Sequence, residues 1–238
     1  GYNIGSNQRT PFEPEDIWAY EAGLKSSLAS NRLQFNAAGF FYDYTNLQAQ
    51  DSIGNQPIIR NVGKADVKGA EFEFAALLTD MIKMDGSVTY VDAAFTEGSL
   101  TEPLRPAPLS QPPGTLLTDL DGKRLPRAPE WKLNLGAQAD FTALGGDMTV
   151  RADYSWQDEI YFTVFNIEAA SQDAYGVWRA RASYQPHDSQ WRFAVFGENL
   201  SDETYFTNQI LTGTVYGAEF VGSLGAPRTV GFEAAVTF

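Results

Sequence analysis

Apolar and polar residues alternate along many short windows of this chain, and this period of two constrains the fold more than any other feature. In the last twelve residues, PRTVGFEAAVTF, every second side chain from Val230 to Phe238 is apolar. Successive side chains of a β-strand point to opposite faces, so each such window predicts a strand with one apolar face. The pattern recurs in WAYEAGLK, WKLNLGAQADF, MTVRADYSWQ and WRARASY. We therefore predict an all-β chain without a core helix.

Nine long strands are predicted, and short and long connections alternate between them. The strands are expected near residues 17–28, 32–48, 57–78, 82–97, 129–142, 147–164, 174–185, 190–207 and 226–238. Tight turns are expected at 29–31, 79–81, 143–147 and 185–190, and longer loops at 49–56, 98–128, 165–173 and 208–225. An antiparallel meander then has every long loop at one end. Outer-membrane β-barrels are built in this way, with short periplasmic turns and long extracellular loops.

Composition is compatible with a barrel and argues against other classes. No apolar run approaches the roughly 20 residues of a membrane-spanning helix. Acidic residues outnumber basic ones 30 to 17, whereas a nucleic-acid partner would require a basic face. The chain has no cysteine and one histidine, so it contains neither a thiolate metal site nor a Ser/His/Asp set. We expect no enzymatic activity, no metal site and no cofactor.

The length of one predicted strand fits the thickness of a membrane. Trp131 and Phe141 lie ten residues apart on one face. At roughly 3.3 Å per residue and a tilt of about 40°, they span a height of about 25 Å, which is the height of the apolar band of such barrels. Aromatic residues at both ends of the outward faces would form the two interface girdles. The predicted membrane-interface aromatics are Trp18, Tyr20, Trp131, Phe141, Tyr154, Trp156, Tyr184 and Trp191.

Charged residues occupy the opposite face of the same strands, and we predict that this face lines the lumen of a barrel. The predicted lumen-facing residues are Glu71, Glu73, Arg151, Asp153, Arg179 and Arg181. Paired carboxylates can perform acid–base work, but a contact inside a wide, wet lumen is the favoured role. Two other motifs are weak. His187 is expected to be a solvated turn residue, and Asp119 and Asp121 match only the start of a calcium loop, so a plain turn is favoured.

Stretches in the same order along nearly the whole chain resemble the C-terminal part of the β-barrel of TonB-dependent outer-membrane receptors. They are PEDIWAYEAGLKSSL, FNAAGFFYDYTNLQ, NVGKADVKGAEFE, VTYVDAAF, APEWKLNLG, VFGENLSDETY and PRTVGFEAAVTF. The resemblance implies an antiparallel portion of a plugged barrel of the 22-stranded class, in the outer membrane of a Gram-negative bacterium. It also implies active uptake of a scarce ligand, such as an iron–siderophore chelate, which binds at extracellular loops and enters with energy from the TonB complex.

The resemblance further implies a role for the end of the chain and a set of partners. In this family the last strand ends at an aromatic residue that the assembly machinery recognises, which makes Phe238 the expected signal, with Val236 and Phe232 on the same face. The family's plug, its TonB box and the first barrel strands have no counterpart in residues 1–238, so we expect a partial barrel. The expected partners are outer-membrane lipid, the missing plug and strands, TonB through the absent box, and a small-molecule ligand.

Two alternatives stay open on the sequence. A passive porin-like or adhesin barrel would share the alternation but needs no plug, and the family stretches argue against it. A soluble all-β carbohydrate-binding or enzymatic domain would turn its apolar face inward and stay soluble without detergent. The ligand-binding residues are not identified by the sequence.

Overall fold

The computed structural model describes residues 1, 11–53, 56–102, 116–211 and 220–237, and it is all-β apart from one 3-10 turn at Glu168–Ala170. The strands in chain order are β1 (Asp16–Leu28), β2 (Leu33–Ile53), β3 (Gln56–Leu77), β4 (Ile82–Thr101), β5 (Leu117–Asp119), β6 (Trp131–Ala143), β7 (Gly146–Gln157), β8 (Ile160–Tyr161), β9 (Ser171–Gln172), β10 (Tyr175–Pro186), β11 (Trp191–Glu198), β12 (Phe206–Leu211), β13 (Phe220–Leu224) and β14 (Thr229–Val236). Among these residues, no helix has the length and apolar character needed to cross a membrane.

Nine strands form one antiparallel meander in the order β1-β2-β3-β4-β6-β7-β10-β11-β14. Neighbours in the sheet follow each other along the chain, so the predicted nine-strand meander is confirmed. The short strand β5 pairs with β4, while β8 pairs with β9 and β12 pairs with β13 in two separate hairpins. Within the described residues the sheet is open, because its order ends at β1 and β14.

The register keeps most of the apolar residues of the nine strands on one side of the sheet, which we call the apolar face, although Phe40 and Phe196 lie on the other side. Directly paired residues share a face, and Tyr90 pairs with Ala70 on one side and with Trp131 on the other. Slipping one strand by a single residue would exchange its two faces, so the alternation itself selects the register. The apolar face includes Tyr20, Phe41, Phe72, Val88, Leu135, Tyr154, Trp178, Val195 and Phe232.

The two ends of the sheet differ in the length of their connections. Residues 29–32, 78–81, 144–145 and 187–190 form short turns at one end, the turn end. Leu144 and Gly145 have φ values of 53° and 73°, as a two-residue hairpin turn of this kind requires. The Tyr184 hydroxyl donates to the Leu144 carbonyl oxygen at 2.7 Å, which links neighbouring strands at this end. The longer connections lie at the opposite end, which we call the connection end.

The prediction of a loop at residues 49–56 was wrong. Strand β2 continues to Ile53 and β3 begins at Gln56, so the two strands pair across most of that segment, while residues 54–55 lie outside the described part. The physical reason is a pair of register shifts between Tyr44 and Gln48. Such bulges move side chains to the other face and interrupt the period of two, although the backbone pairing continues.

Other boundaries also differ from the prediction. The strands expected at 147–164 and 190–207 end earlier, at Gln157 and Glu198. Segments predicted to be loops contain local strands instead. These are the end of β4 with β5 in 98–128, β9 in 165–173, and most of β12 and β13 in 208–225. The loop segments pair with each other, which a pattern read along single windows does not detect.

Burial is concentrated at the connection end. Phe95, Leu100 and Leu120 are almost fully enclosed there, and the loop residues Val164 and Phe165 pack against them. On the apolar face, by contrast, Trp18 and Phe232 are each 66% exposed. Val150 is 39% exposed, so no second sheet covers it within the described residues. A large continuous apolar surface of this kind indicates a membrane or protein partner rather than a soluble sandwich.

Candidate functional site

The structure brings the six predicted lumen-facing residues to one side of the sheet, which we call the charged face. Arg179 pairs with Asp153, and Arg181 pairs with Arg151, so these four residues form two adjacent rows. Glu71 lies on β3 between Ala38 and Thr89 on the same side. Glu73 follows two residues later, on the same side. The shared face is a structural observation, whereas its position in a lumen stays a prediction.

Arg151 is the centre of an ion-pair network that reaches across three strands. Its guanidinium donates to both carboxylate oxygens of Asp85 on β4, at 2.8 and 3.0 Å. It also donates to Asp153 on its own strand, at 2.6 and 3.1 Å. Paired, charge-assisted bonds of this geometry are stronger than single neutral hydrogen bonds. Arg151 therefore joins β7 to β4 and is held by the carboxylates of Asp85 and Asp153.

Gly136 on β6 makes this crossing possible, because β6 lies between β4 and β7. A Cβ atom at Gly136 would lie 2.4 Å from Nη2 of Arg151 and 2.7 Å from Oδ2 of Asp85. Both distances are shorter than any normal contact of a side-chain carbon. The absent side chain thus leaves the space through which the guanidinium reaches Asp85. Nothing in the sequence distinguishes Gly136, since a glycine on a polar face carries no chemistry of its own.

A second group of ion pairs follows β10, β11 and β14. Arg179 binds Glu198 at 2.9 Å, and Arg181 binds Glu233 at 2.8 Å. Arg192 lies 3.9 Å from the other oxygen of Glu233. All of these side chains are about half exposed, so each pair contributes little to stability by itself. Together they place two guanidinium groups around one carboxylate on this part of the charged face.

The opposite part of the charged face, on β1 to β3, is mainly acidic, with Lys25 as a basic residue on the same side. Glu73 accepts a hydrogen bond from the Asn36 amide at 3.3 Å. Glu21 accepts one from the Tyr42 hydroxyl. Glu71 is exposed between these groups, so the acidic patch consists of Glu21, Glu71 and Glu73. The charged face therefore changes from mainly acidic at β1–β3 to mixed, with clustered arginines, at β7–β14.

The eight predicted interface aromatics all lie on the apolar face. The register pairs them with small or apolar neighbours in most cases, and several rings pack across strands. Tyr90 and Trp131 have ring centroids 4.7 Å apart, as do Tyr154 and Trp178. Their contact with a membrane interface stays a prediction. The eight are Trp18, Tyr20, Trp131, Phe141, Tyr154, Trp156, Tyr184 and Trp191.

The expected assembly signal is described in part. Phe232 pairs with Val195 and Val236 pairs with Trp191, both on the apolar face. The ring of Phe232 stacks on that of Phe193 at a centroid distance of 6.2 Å. Phe238 lies outside the described residues, and its role as a signal stays a prediction.

At the connection end, parts of three connections assemble into what we call the connection cluster: residues 120–130, 158–174, and 199–211 with 220–228. Arg124 is its centre. Its guanidinium reaches the carbonyl oxygens of Ala128 and Glu159 at 3.3 Å, and it lies 5.9 Å from the ring centroid of Tyr161. Burial, reinforced by the carboxylate of Glu159, raises the pKa of Tyr161 above its ordinary value. The cluster is thus a packed structure and not a set of independent loops.

The segment ENLSDETY has a structural role within this cluster. Asn199 is buried and has a φ of 47°. Its amide nitrogen donates to the carbonyl oxygens of Glu203 and Ala226, at 2.8 and 3.0 Å. Its oxygen accepts from the Glu203 N–H at 2.9 Å. One side chain therefore holds both ends of the connection that carries β12 and β13.

The remaining motifs offer no metal chemistry in the described residues. His187 lies in the expected turn, and its ring is 3.1 Å from Asp147, with both groups largely exposed. Asp119 accepts a hydrogen bond from the backbone N–H of Asp121 at 3.0 Å, which is ordinary turn geometry. Among the residues that the structure describes, no group of three or more His, Cys, Asp or Glu is arranged to hold a metal ion.

The two-faced meander, with its exposed apolar face and its long connections at one end, defines a β-barrel type of sheet. A family model described as "TonB dependent receptor-like, beta-barrel" matches residues 1–200. The chain therefore belongs to the TonB-dependent receptor β-barrel family, which confirms the resemblance seen in the sequence.

Solved structures of similar fold cover the whole sheet. The ferric yersiniabactin uptake receptor FyuA from Yersinia pestis aligns with 100% of this chain and 33% of its own, with a TM-score of 0.78 and 21% identity. The siderophore receptor PiuA from Acinetobacter baumannii aligns with 98% of this chain and 29% of its own, with a TM-score of 0.72 and 23% identity. At these identities the likeness concerns the fold alone.

Curated relatives match shorter segments. The metal-pseudopaline receptor CntO from Pseudomonas aeruginosa is 31% identical over 86 residues, which are 36% of this chain and 12% of the relative. The ferrioxamine B receptor from Salmonella typhimurium is 28% identical over 91 residues, 38% of this chain and 13% of the relative. This chain thus spans about a third of the solved receptors and matches about an eighth of the curated ones.

Proposed function

We propose that this chain forms the C-terminal part of the barrel of an outer-membrane receptor that actively takes up a scarce chelate, such as an iron–siderophore complex. The observation that carries the proposal is the nine-strand sheet, which has one exposed apolar face, one charged face and every long connection at one end. Membership of the TonB-dependent receptor family supports it, as do the receptor names of its relatives.

In this proposal the two faces have different partners. The apolar face contacts outer-membrane lipid, and its aromatic residues lie at the two membrane interfaces. The charged face lines a lumen, where Glu71 and Glu73 contact a plug domain or water. Further strands complete a larger barrel, and TonB acts through a box outside residues 1–238. The connection cluster lies on the extracellular side and contributes to ligand capture.

Uptake by the receptor that carries this chain provides the test. The gene would be deleted in a Gram-negative host, and transport of radioactive iron chelates would be compared with and without TonB. We expect one chelate whose uptake is lost in both the receptor deletion and the tonB deletion. Uptake that needs the receptor but not TonB would instead favour a passive porin-like barrel. A chain that stays monomeric without detergent would favour a soluble domain.

A further inference from the structure

Three consecutive connections meet in the connection cluster, and side-chain amides join them in places where strand pairing does not. The hairpin β12–β13 pairs with no strand of the main sheet in the described residues, and neither does β8–β9. Two such hairpins would be free to move separately unless other bonds held them. Two side-chain amides, those of Asn166 and Gln172, provide such bonds, and Arg127 adds a further link.

Asn166 joins the connection 158–174 to the segment 120–130. Its side-chain oxygen accepts a hydrogen bond from the Arg124 N–H at 2.7 Å, and its side-chain nitrogen donates to the Arg124 carbonyl oxygen at 2.9 Å. The carboxamide thus pairs with both backbone groups of Arg124, as a neighbouring strand would. Asn166 has a φ of 51°, a left-handed conformation that asparagine tolerates better than most residues.

Gln172 joins the same connection to the hairpin β12–β13. Its buried side-chain oxygen accepts a hydrogen bond from the N–H of Phe206, the first residue of β12, at 2.6 Å. Its nitrogen donates to the Asp173 carbonyl oxygen at 2.9 Å, which fixes the orientation of the amide. Gln172 also pairs with Ile160 in β8–β9. Asn166 lies within that hairpin, so both amides belong to one small unit.

Arg127 provides a third link between the segments. Its backbone N–H donates to the Tyr161 carbonyl oxygen at 2.8 Å, and its guanidinium binds the side-chain oxygen of Asn208 on β12. Each of the three segments is therefore bonded to the other two. A displacement of any one segment breaks bonds to both others.

We propose that Asn166 and Gln172 couple the three connections into one cooperative unit that opens and becomes ordered as a whole. Local opening of proteins occurs in such cooperative units, and their extent is measurable by amide hydrogen exchange. For ligand capture, the consequence is that a chelate touching any one of the three connections stabilises all three. This consequence rests on the proposed function, whereas the coupling itself is measured without a ligand.

Hydrogen exchange of the full receptor in detergent tests the coupling with Asn166→Gly. Glycine accepts the left-handed φ, so the variant removes the two bonds without adding backbone strain. Loss of both bonds to Arg124 should make exchange faster by about tenfold to thirtyfold. We expect this acceleration at 120–125, the direct partner, and also at 206–211, which Asn166 does not touch. Gln172→Ala should reciprocally accelerate exchange at 120–125.

The matched control is Asn134→Ala, which removes an amide that donates to Ser87 at 3.2 Å on the main sheet. It should leave both segments unchanged. Acceleration confined to the segment bonded directly to the altered residue would overturn the proposal. If Asn166→Gly prevents assembly, the test is hydrogen exchange at 120–125 in Gln172→Ala: faster exchange there supports the coupling, and unchanged exchange overturns it. A receptor that takes up no chelate but shows coupled exchange would contradict the proposed function and leave the coupling intact.

Discussion

Replacing Gly136 by alanine tests whether the charged face is organised by the reach of Arg151. The new Cβ would lie 2.4 Å from Nη2 of Arg151 and 3.0 Å from Oδ1 of Asp153. The strand backbone is held by pairing on both sides, with Asp85 and Asp153 opposite Gly136. The guanidinium must therefore move away from Asp85.

The expected decrease in the free energy of unfolding depends on which hydrogen bonds are lost and on how exposed their side chains are. The displaced guanidinium gives up its two bonds to Asp85, of 2.8 and 3.0 Å. A buried charged hydrogen bond contributes about 1.5–3 kcal/mol, whereas an exposed ion pair contributes about 0–1 kcal/mol. The side chains of Arg151 and Asp85 are 32% and 46% exposed, so an intermediate value applies. We expect Gly136→Ala to destabilise the receptor by about 1–2 kcal/mol.

A double-mutant cycle in the purified receptor separates this mechanism from a general effect of alanine. Unfolding in denaturant would be measured for Gly136→Ala, Arg151→Gln and the combination. If the alanine acts through the guanidinium, the double variant should be no less stable than Arg151→Gln, which indicates strong coupling. Gly39→Ala is the control, because its Cβ would meet nothing closer than the Gly69 oxygen at 3.8 Å. Additive effects, or an unchanged Gly136→Ala receptor, would refute the reasoning.

Three further predictions concern assembly, the connection end and the membrane. Deleting Phe238 should reduce the amount of receptor in the outer membrane much more than it reduces synthesis. Receptor that does insert should keep near-normal heat resistance on gels, because burial of one Phe is worth only about 1.5–3 kcal/mol. A normal outer-membrane yield would exclude Phe238 as an assembly signal. Asn199→Ala removes three buried hydrogen bonds and places alanine at positive φ, so it should destabilise the receptor by about 2–4 kcal/mol and accelerate amide hydrogen exchange at 199–205. Unchanged exchange at 199–205 would count against a structural role of Asn199. In a receptor that keeps Trp131 as its single tryptophan, lipids brominated near the headgroup should quench fluorescence more than lipids brominated deep in the chain; stronger deep quenching would place Trp131 away from the interface.

The nine-strand meander was predictable because its information is local. A strand with one apolar face has an apolar residue at every second position, and each window of the sequence shows this alternation by itself. Trp131 to Phe141 illustrates it, since the alternation predicted both the strand and the face that the structure has. The family stretches added the type of barrel. The family match confirms this class, whereas the ligand and the energy source stay proposals.

The connection end could not be predicted in the same way, because its order depends on contacts between distant segments. The bulges between Tyr44 and Gln48 hid the outer half of the β2–β3 hairpin from a pattern of period two. Phe95 and Leu120 form a core only after a loop folds back over β4. Asn166 and Gln172 are ordinary polar loop residues in the sequence, and they acquire a role only through the backbone groups opposite them.

The sequence by itself determined the all-β class, the number of long strands, the two faces and the end at which the long connections lie. These properties follow from local alternation, which each strand satisfies without reference to the others. Only the tertiary structure decided how the connections pack, that Arg151 crosses β6 through the space at Gly136, and which amides join the connections. These features depend on contacts between residues far apart in the chain, and the local alternation of apolar and polar residues carries no information about such contacts.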